Sequence, residues 1–179
     1  GGMIAQIIVS SYPERVKTFT LIASTASTPS PFNGPNREVR KLFLERTKNT
    51  DASIDERVNR TKRLFRLIGY EGIDLDTDEF YDNVKMSVER GGVDDTGFGR
   101  QLTAILGSTN RLNKVRLIKA NTLIVHGYED TLIKVKNAHK AHSLISNSQL
   151  KIIQDMRHLI EPPVFDQFKD DLLIHLNKP

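Results

Sequence analysis

Cysteine is absent from this sequence, which excludes disulfide frameworks, thiolate zinc sites and a cysteine nucleophile. Also absent is any run of about eighteen apolar residues, so no membrane-spanning helix is expected. The opening Gly1-Gly2-Met3-Ile4 has neither an initiator methionine nor the basic stretch of a secretory signal. These absences predict a cytoplasmic protein with no membrane partner, and they indicate that the natural N-terminus lies upstream of Gly1.

The excess of positive over negative charge is also small, because the 179 residues carry a net charge of only +4. The excess is local: between Pro35 and Arg66, ten Lys or Arg residues stand against five Asp or Glu residues. One interpretation is an anionic partner such as nucleic acid or a membrane surface. We favour the other interpretation, in which these charges form the solvated face of two amphipathic helices, and we expect no nucleic-acid partner.

Apolar periodicity predicts an α/β fold. A stripe at helical spacing predicts a helix over residues 2–11, and short apolar runs predict buried strands at residues 19–23, 121–126 and 150–154. Amphipathic patterns predict helices at residues 135–145 and 164–176. Residues 37–107 contain helical patterns and no convincing strand. The β–α alternation predicts a mostly parallel sheet, with an all-helical stretch inserted between two consecutive strands.

Two chemically active side chains follow two of these strands. Asp130 lies in the turn after the strand at 121–126, and His158 lies in the turn after the strand at 150–154. Because neighbouring parallel strands end at the same edge of a sheet, we expect the two side chains to meet there. A carboxylate beside a histidine holds the imidazole in one tautomer and stabilises the imidazolium that forms when the ring accepts a proton.

Four pieces of sequence, in one order, resemble the α/β-hydrolases. The pieces are GGMIAQ followed by YPERV near the start, RQLTAI at residues 100–105, IKANTLIVHG at residues 118–127, and the acid turn at Asp130 with His158 twenty-eight residues later. The order serine, acid, histidine is the one this family uses. The likeness is nearest to small-molecule esterases of the aclacinomycin methylesterase type.

This resemblance implies a hydrolase that acts on an ester or related carbonyl of a small molecule. Gly1 matches the closing glycine of the family's G-x-S-x-G elbow, whose small residue lets the helix pack closely, so the serine would lie two positions before Gly1. His158 would then act as general base and acid, and Asp130 would orient it. No cofactor is implied, the oligomeric state is left open, and the 179-residue chain alone is expected to be inactive.

The resemblance also implies a division of the chain. Residues 1–26 would form the start of the core, with the helix after the elbow and one strand. Residues 27–118 would form a helical cap and the return to the core. Residues 119–179 would form the C-terminal part of the core, carrying the acid and histidine turns.

Two residues depart from the family pattern. Thr131 follows the acid where the family often has proline, and Arg157 precedes the histidine where the family usually has glycine. Glycine permits a tight turn and leaves space near the ring. Arg157 therefore motivates a second hypothesis, a non-catalytic relative that keeps the fold as a binding or remnant protein.

Other candidate residues have simpler interpretations. Glu129 is the rival of Asp130, His126 is expected to be packed at a strand end, and His175 is expected to be solvated on the last helix. Ser24 follows a strand but lacks the flanking glycines of an elbow. His139 and His142 lie three apart on a predicted helix without a third ligand nearby, so no metal site is expected.

Overall fold

The computed structural model describes residues 1–27, 30, 32–48, 52–91, 95–108 and 111–178. Its regular elements in chain order are α1 (Gly2–Ser11), β1 (Thr18–Ile22), α2 (Arg37–Lys48), α3 (Ile54–Ile68), α4 (Asp78–Glu89), α5 (Asp95–Gly107), α6 (Leu112–Val115), β2 (Asn121–Gly127), α7 (Lys136–Leu144), β3 (Ser148–Ile153), α8 (Pro162–Phe165) and α9 (Lys169–Leu176). A short 3-10 turn at Pro13–Arg15 links α1 to β1. No helix in the described ranges is long and apolar enough to cross a bilayer.

The three strands form a parallel sheet in the order β1-β2-β3, which confirms the predicted parallel arrangement. Leu21 pairs with Ile124, and Val125 pairs with Lys151. β3 begins two residues before the apolar run because Ser148 and Gln149 already pair with β2. The polar start of β3 therefore belongs to the sheet through its backbone, which carries no signal in the side-chain pattern.

Both faces of the sheet are covered. Successive side chains of a strand point to opposite faces, and β2 shows this directly. Ile124 belongs to one apolar cluster with Val9, Phe19 and Ala141, whereas Val125 belongs to the other. The first cluster is closed by α1, α6 and α7, and the second by α8 and the residues that follow it. Burial on both faces explains why β2 is a nearly continuous apolar run.

The last predicted helix is in fact two helices, so the prediction of one helix over residues 164–176 is wrong. α8 ends at Phe165, and Phe168 has non-helical backbone angles of φ −135° and ψ 2° before α9 begins. Phe168 is fully buried in the second apolar cluster. We infer that seating this ring outweighs the helical preference of the segment, because burying a large apolar side chain is worth about 2 kcal/mol.

The expectation that His175 is solvated is also wrong. The side chain lies on α9 with 1% exposure, and its Nε2–H donates to the carbonyl of Phe19 at 3.1 Å. Burial lowers the pKa of His175 and outweighs the hydrogen bond to Phe19, which raises it. The neutral side chain of His175 therefore links α9 to β1 through this hydrogen bond.

Helices α2 to α5 pack largely on one another. The rings of Phe43 and Phe98 meet edge to face, as do those of Phe65 and Phe80. No strand occurs in the described residues between 37 and 107, as the pattern predicts. Helix α3 begins with a capping box in which the Ser53 hydroxyl accepts from the Glu56 N–H and the Glu56 carboxylate accepts from the Ser53 N–H.

Candidate active site

The acid turn begins where β2 ends at Gly127. Asp130 is 5% exposed, and its Oδ1 accepts hydrogen bonds from the backbone N–H groups of Leu132 at 2.8 Å and Ile133 at 2.7 Å. These two bonds close a turn of the Asx type, in which the side chain mimics a backbone acceptor. One oxygen is thereby committed to the turn, and the other, Oδ2, is left to face a partner.

That partner is His158, in the turn after β3. Its Nδ1 lies 2.9 Å from Asp130 Oδ2, which confirms the predicted contact. Because a carboxylate oxygen only accepts, Nδ1 carries the proton of this bond. Nε2 is then the nitrogen able to take up a proton, and no described residue bonds to it. The imidazole side chain is 22% exposed while the carboxylate is fully buried.

Gly127 explains how the two turns come so close. A Cβ at this position would lie 2.1 Å from the carbonyl oxygen of Met156 and 2.2 Å from that of Arg157. The backbones also bond directly, since Tyr128 donates to Ile153 at 2.9 Å and Glu129 donates to Met156 at 3.3 Å. Any side chain at Gly127 would push the histidine turn away from the acid turn.

The surroundings keep Asp130 ionised. Burial is the largest single influence and raises its pKa, but the opposing influences together are stronger. Hydrogen bonds from His126 and His158, attraction to the His158 charge and the Ile133 N–H lower the pKa to about 2. The carboxylate is therefore charged at neutral pH, as a group that stabilises an imidazolium must be.

A second histidine contacts the same carboxylate. His126 is completely buried, which confirms the packed position predicted for it, and its Nε2 lies 3.4 Å from Asp130 Oδ2. The same Nε2 lies 2.7 Å from the carbonyl oxygen of Ile133. Since both neighbours only accept, Nε2 carries hydrogen and His126 donates toward the acid. The sequence pattern placed His126 at a strand end but contained no signal of this contact.

This acid–histidine arrangement can be compared with proteins of known family. A family model for the alpha/beta hydrolase fold matches residues 1–160. The chain belongs to the α/β-hydrolase fold family. A comparison with curated proteins finds no match in sequence.

Solved structures show the same hydrolase fold. A meta-cleavage product hydrolase from Pseudomonas fluorescens IP01 is 20% identical with a TM-score of 0.73, over 99% of this chain and 61% of that one. An esterase from Exiguobacterium antarcticum is 18% identical with a TM-score of 0.75, over 99% and 64%. A 2-hydroxy-6-oxo-6-phenylhexa-2,4-dienoate hydrolase from Rhodococcus sp. strain RHA1 is 15% identical with a TM-score of 0.72, over 99% and 61%.

Two facts follow from these α/β-hydrolase neighbours. At such identities the likeness shows the fold alone, because one fold carries many reactions. The chain also spans less than two thirds of the length of each of these structures.

Arg157 does not crowd the pair of this α/β-hydrolase. Its guanidinium donates to the carbonyl oxygen of Arg66 at 2.9 Å and lies within 4 Å of the carboxylates of Glu71 and Glu129. Ala23 is the one non-glycine residue in the described part with a positive φ, so the turn at Arg157 does not require glycine. The charge of Arg157 is partnered by two carboxylates and one carbonyl.

The remaining candidates lie apart from the pair. Glu129, the rival acid, is half exposed and faces Arg157. His142 bonds through Nδ1 to the Ser148 hydroxyl at 2.8 Å. No group of three His, Asp or Glu side chains that could hold a metal ion occurs in the described part of the chain.

A second glycine, Gly2, lies where α1 meets the end of β1. A Cβ on Gly1 would meet no atom of this chain within 4 Å, whereas a Cβ on Gly2 would lie 2.4 Å from Ser24 Oγ and 3.0 Å from Leu21 Cδ1. Gly2 therefore lets α1 start directly against the end of β1. Ser24 lies against the first residue of this helix.

A cavity of about 240 Å³ adjoins the histidine turn of the hydrolase fold. It is lined by the end of α3, the loop after it and Arg157, with Tyr70, Glu71 and Ile73 among its walls. Neither Asp130 nor His158 lines it. The cavity is thus a neighbour of the pair and does not contain it.

Proposed function

We propose that this chain supplies the acid and the general base of a hydrolase that cleaves an ester or related carbonyl by a Ser-His-Asp mechanism. The observation that carries the proposal is the 2.9 Å contact between His158 Nδ1 and Asp130 Oδ2. It leaves Nε2, the nitrogen opposite the acid, to exchange a proton with a nucleophile. The family membership supports the same reading.

In this mechanism the serine lies two positions before Gly1, as the resemblance of the opening residues implies. The serine Oγ attacks the carbonyl carbon while its proton passes to Nε2 of His158, which becomes an imidazolium. Asp130, with its pKa lowered to about 2, balances that charge. The proton then passes to the leaving alkoxide, and a water molecule repeats the sequence to release the acid product.

The helical region between β1 and β2 is proposed to act as a cap over a small-molecule substrate. Helices α2 to α5 interrupt the chain between two strands that pair side by side. Caps in such positions line the cavity and determine which substrate fits. The proposal names a class of substrates, carbonyl compounds, because one fold carries many reactions.

Hydrolysis of p-nitrophenyl esters by the protein extended upstream through the elbow tests this function. We expect His158→Ala and Asp130→Asn each to lower kcat by about 10³- to 10⁴-fold. His139→Ala, which removes an exposed histidine on α7, is the control and leaves kcat unchanged. A fluorophosphonate probe should label the serine two positions before Gly1. Activity that survives His158→Ala would refute the proposal.

The 179-residue chain gives a second arm of the same test. We expect it to turn over no ester above the buffer rate. Turnover that disappears in His158→Ala would place a nucleophile inside the chain, contrary to the proposed position of the serine.

The non-catalytic alternative predicts a different outcome. It requires a residue without nucleophilic character two positions before Gly1 and no labelling by the probe. The alternative was motivated by Arg157, whose charge is held by Glu71 and Glu129. Because these contacts accommodate the departure from glycine, Arg157 is compatible with both catalysis and the non-catalytic alternative. Labelling by the fluorophosphonate probe distinguishes the two.

The proposed partner is a small molecule and not nucleic acid. Several of the basic residues between Pro35 and Arg66 have acidic partners: Arg63 lies 3.0 Å from Glu45, and Lys62 lies 2.8 Å from Asp76. Retention on heparin that falls steeply with salt would contradict this assignment.

A further inference from the structure

The C-terminus of helix α3 is capped by the two turns of the candidate active site. The last four carbonyls of a helix have no partner within it. In α3 these belong to residues 65–68, and the first of them, on Phe65, accepts from the Gly69 N–H at 2.7 Å. The other three are satisfied from outside the helix.

Each of these three carbonyls binds a donor from the acid turn or the histidine turn. The Arg66 carbonyl accepts from Arg157 Nη1 at 2.9 Å. The Leu67 carbonyl accepts from the Thr131 hydroxyl at 2.7 Å. The Ile68 carbonyl accepts from the backbone N–H groups of His158 at 2.8 Å and of Leu159 at 3.2 Å. A cation at Arg157 also suits the negative end of the helix dipole.

A buried carboxylate completes the same junction. Glu161, which is 8% exposed, accepts from the Tyr70 N–H through Oε1 at 3.0 Å. Gly69 permits this approach, because a Cβ there would lie 2.9 Å from Glu161 Oε1 and 2.8 Å from the Phe65 carbonyl oxygen. The backbone after α3 is therefore held on the segment that follows His158.

Two of the donors are the residues that depart from the family pattern. Proline in place of Thr131 and glycine in place of Arg157 would supply no side-chain donor. The departures thus add one hydrogen bond to the Arg66 carbonyl and one to the Leu67 carbonyl. Because Thr131 and Arg157 both bond to the C-terminal end of α3, we infer that they have a common role.

We propose that Thr131 and Arg157 are positioning residues, which fasten the acid and histidine turns to α3 and so hold His158 against Asp130. This inference rests on the proposed function for its importance to catalysis. The His158 backbone is bonded to the Ile68 carbonyl while its ring is bonded to Asp130. A shift of α3 would therefore move the imidazole relative to the carboxylate, and the two flanking side-chain bonds resist that shift.

Nitrogen-15 NMR of the His158 ring in the 179-residue chain tests the proposal, because the two ring nitrogens report which of them carries the proton. In the unaltered chain we expect the neutral ring to hold its proton on Nδ1. Thr131→Val keeps the shape of the side chain and its charge but removes the hydroxyl, and Arg157→Met removes the guanidinium. We expect each to mix the tautomers, and to speed exchange of the His158 and Leu159 amides by about tenfold.

Matched controls separate positioning from general stability. Thr103→Val also removes a hydroxyl that donates to a carbonyl, that of Gly99, and Arg116→Met removes an arginine bonded to Asn113. Both should leave the His158 ring unchanged. Thr131→Ser restores the hydroxyl and should restore the Nδ1–H form.

The proposal is overturned if Thr131→Val and Arg157→Met lower the melting temperature without changing the His158 tautomer, or if Thr131→Ser fails to restore it. Neither readout depends on turnover. An extended protein that hydrolyses no ester would therefore refute the proposed function and leave this test intact.

Discussion

The sheet that carries the acid and histidine turns differs sharply from the helical region between β1 and β2. Every side chain of β2 after Asn121 is buried, and the two apolar clusters lie on the two faces of the sheet. No described residue of α2 to α5 belongs to either cluster. Tyr70, just after α3, packs against the second cluster but is only partly buried.

The contacts that join the two regions therefore differ from the contacts that stabilise each region internally. The sheet is stabilised by the two apolar clusters, and the helical region by its own buried apolar side chains, ring contacts and ion pairs. Between them, the structure offers the polar junction at the end of α3. Helix α3 shows the contrast within one element, because Ser53 and Glu56 cap its start locally and the acid and histidine turns cap its end. Apolar burial tolerates small shifts, whereas hydrogen bonds define direction.

The largest loss of stability is expected from a substitution at Gly127, inside the sheet region. Gly127→Ala places a Cβ about 2 Å from two carbonyl oxygens, and we expect it to lower the free energy of unfolding by about 3 kcal/mol. Urea unfolding measures the loss. Gly99→Ala in α5, where a Cβ meets nothing within 4 Å, should instead stabilise by up to about 1 kcal/mol. Equal stability of the two variants would contradict the packing argument.

Acid should weaken the sheet region through Asp130. The folded-state pKa is lowered from 3.8 to about 2, so the stabilisation is complete above pH 4 and is lost as pH falls toward 2. The difference corresponds to about 2 kcal/mol. Unfolding curves at several pH values should show this loss in the unaltered chain and not in Asp130→Asn. Asp155→Asn, at an exposed carboxylate bonded to Gln167, should follow the unaltered chain.

The smallest effect is expected at the local cap of the helical region. Ser53→Ala removes the hydroxyl that accepts from the Glu56 N–H, and we expect a loss of about 1 kcal/mol. Hydrogen exchange should accelerate at the first amides of α3 while the His158 ring signal stays unchanged. A change at His158 comparable to that in Thr131→Val would show that any disturbance of α3 reaches the pair, and would remove the distinction between its two ends.

Much of the core could be predicted from side-chain pattern. The run LIV in β2 predicts a strand buried on both faces, and an apolar stripe predicts the helix over residues 2–11. The contact between Asp130 and His158 was also predictable, because adjacent parallel strands bring their ends to one edge. The division of the chain at residues 26 and 118 stays a prediction.

Other features were invisible in the pattern. Phe168 continues the apolar spacing of the last helix, yet its burial breaks that helix in two. His175 looks like a surface residue and is buried against Phe19. In each case a contact distant in sequence outweighed the local preference, which is a weak influence on structure.

The sequence by itself determined the α/β alternation, the strands that precede the acid and histidine turns and the residue types placed in those turns, since periodicity and order along the chain are local properties. Tertiary structure alone decided that His126 shares the carboxylate of Asp130 and that Thr131 and Arg157 bind the end of α3. Those contacts join segments brought together by packing, and a hydrogen bond forms only where the fold brings donor and acceptor within about 3 Å at a suitable angle.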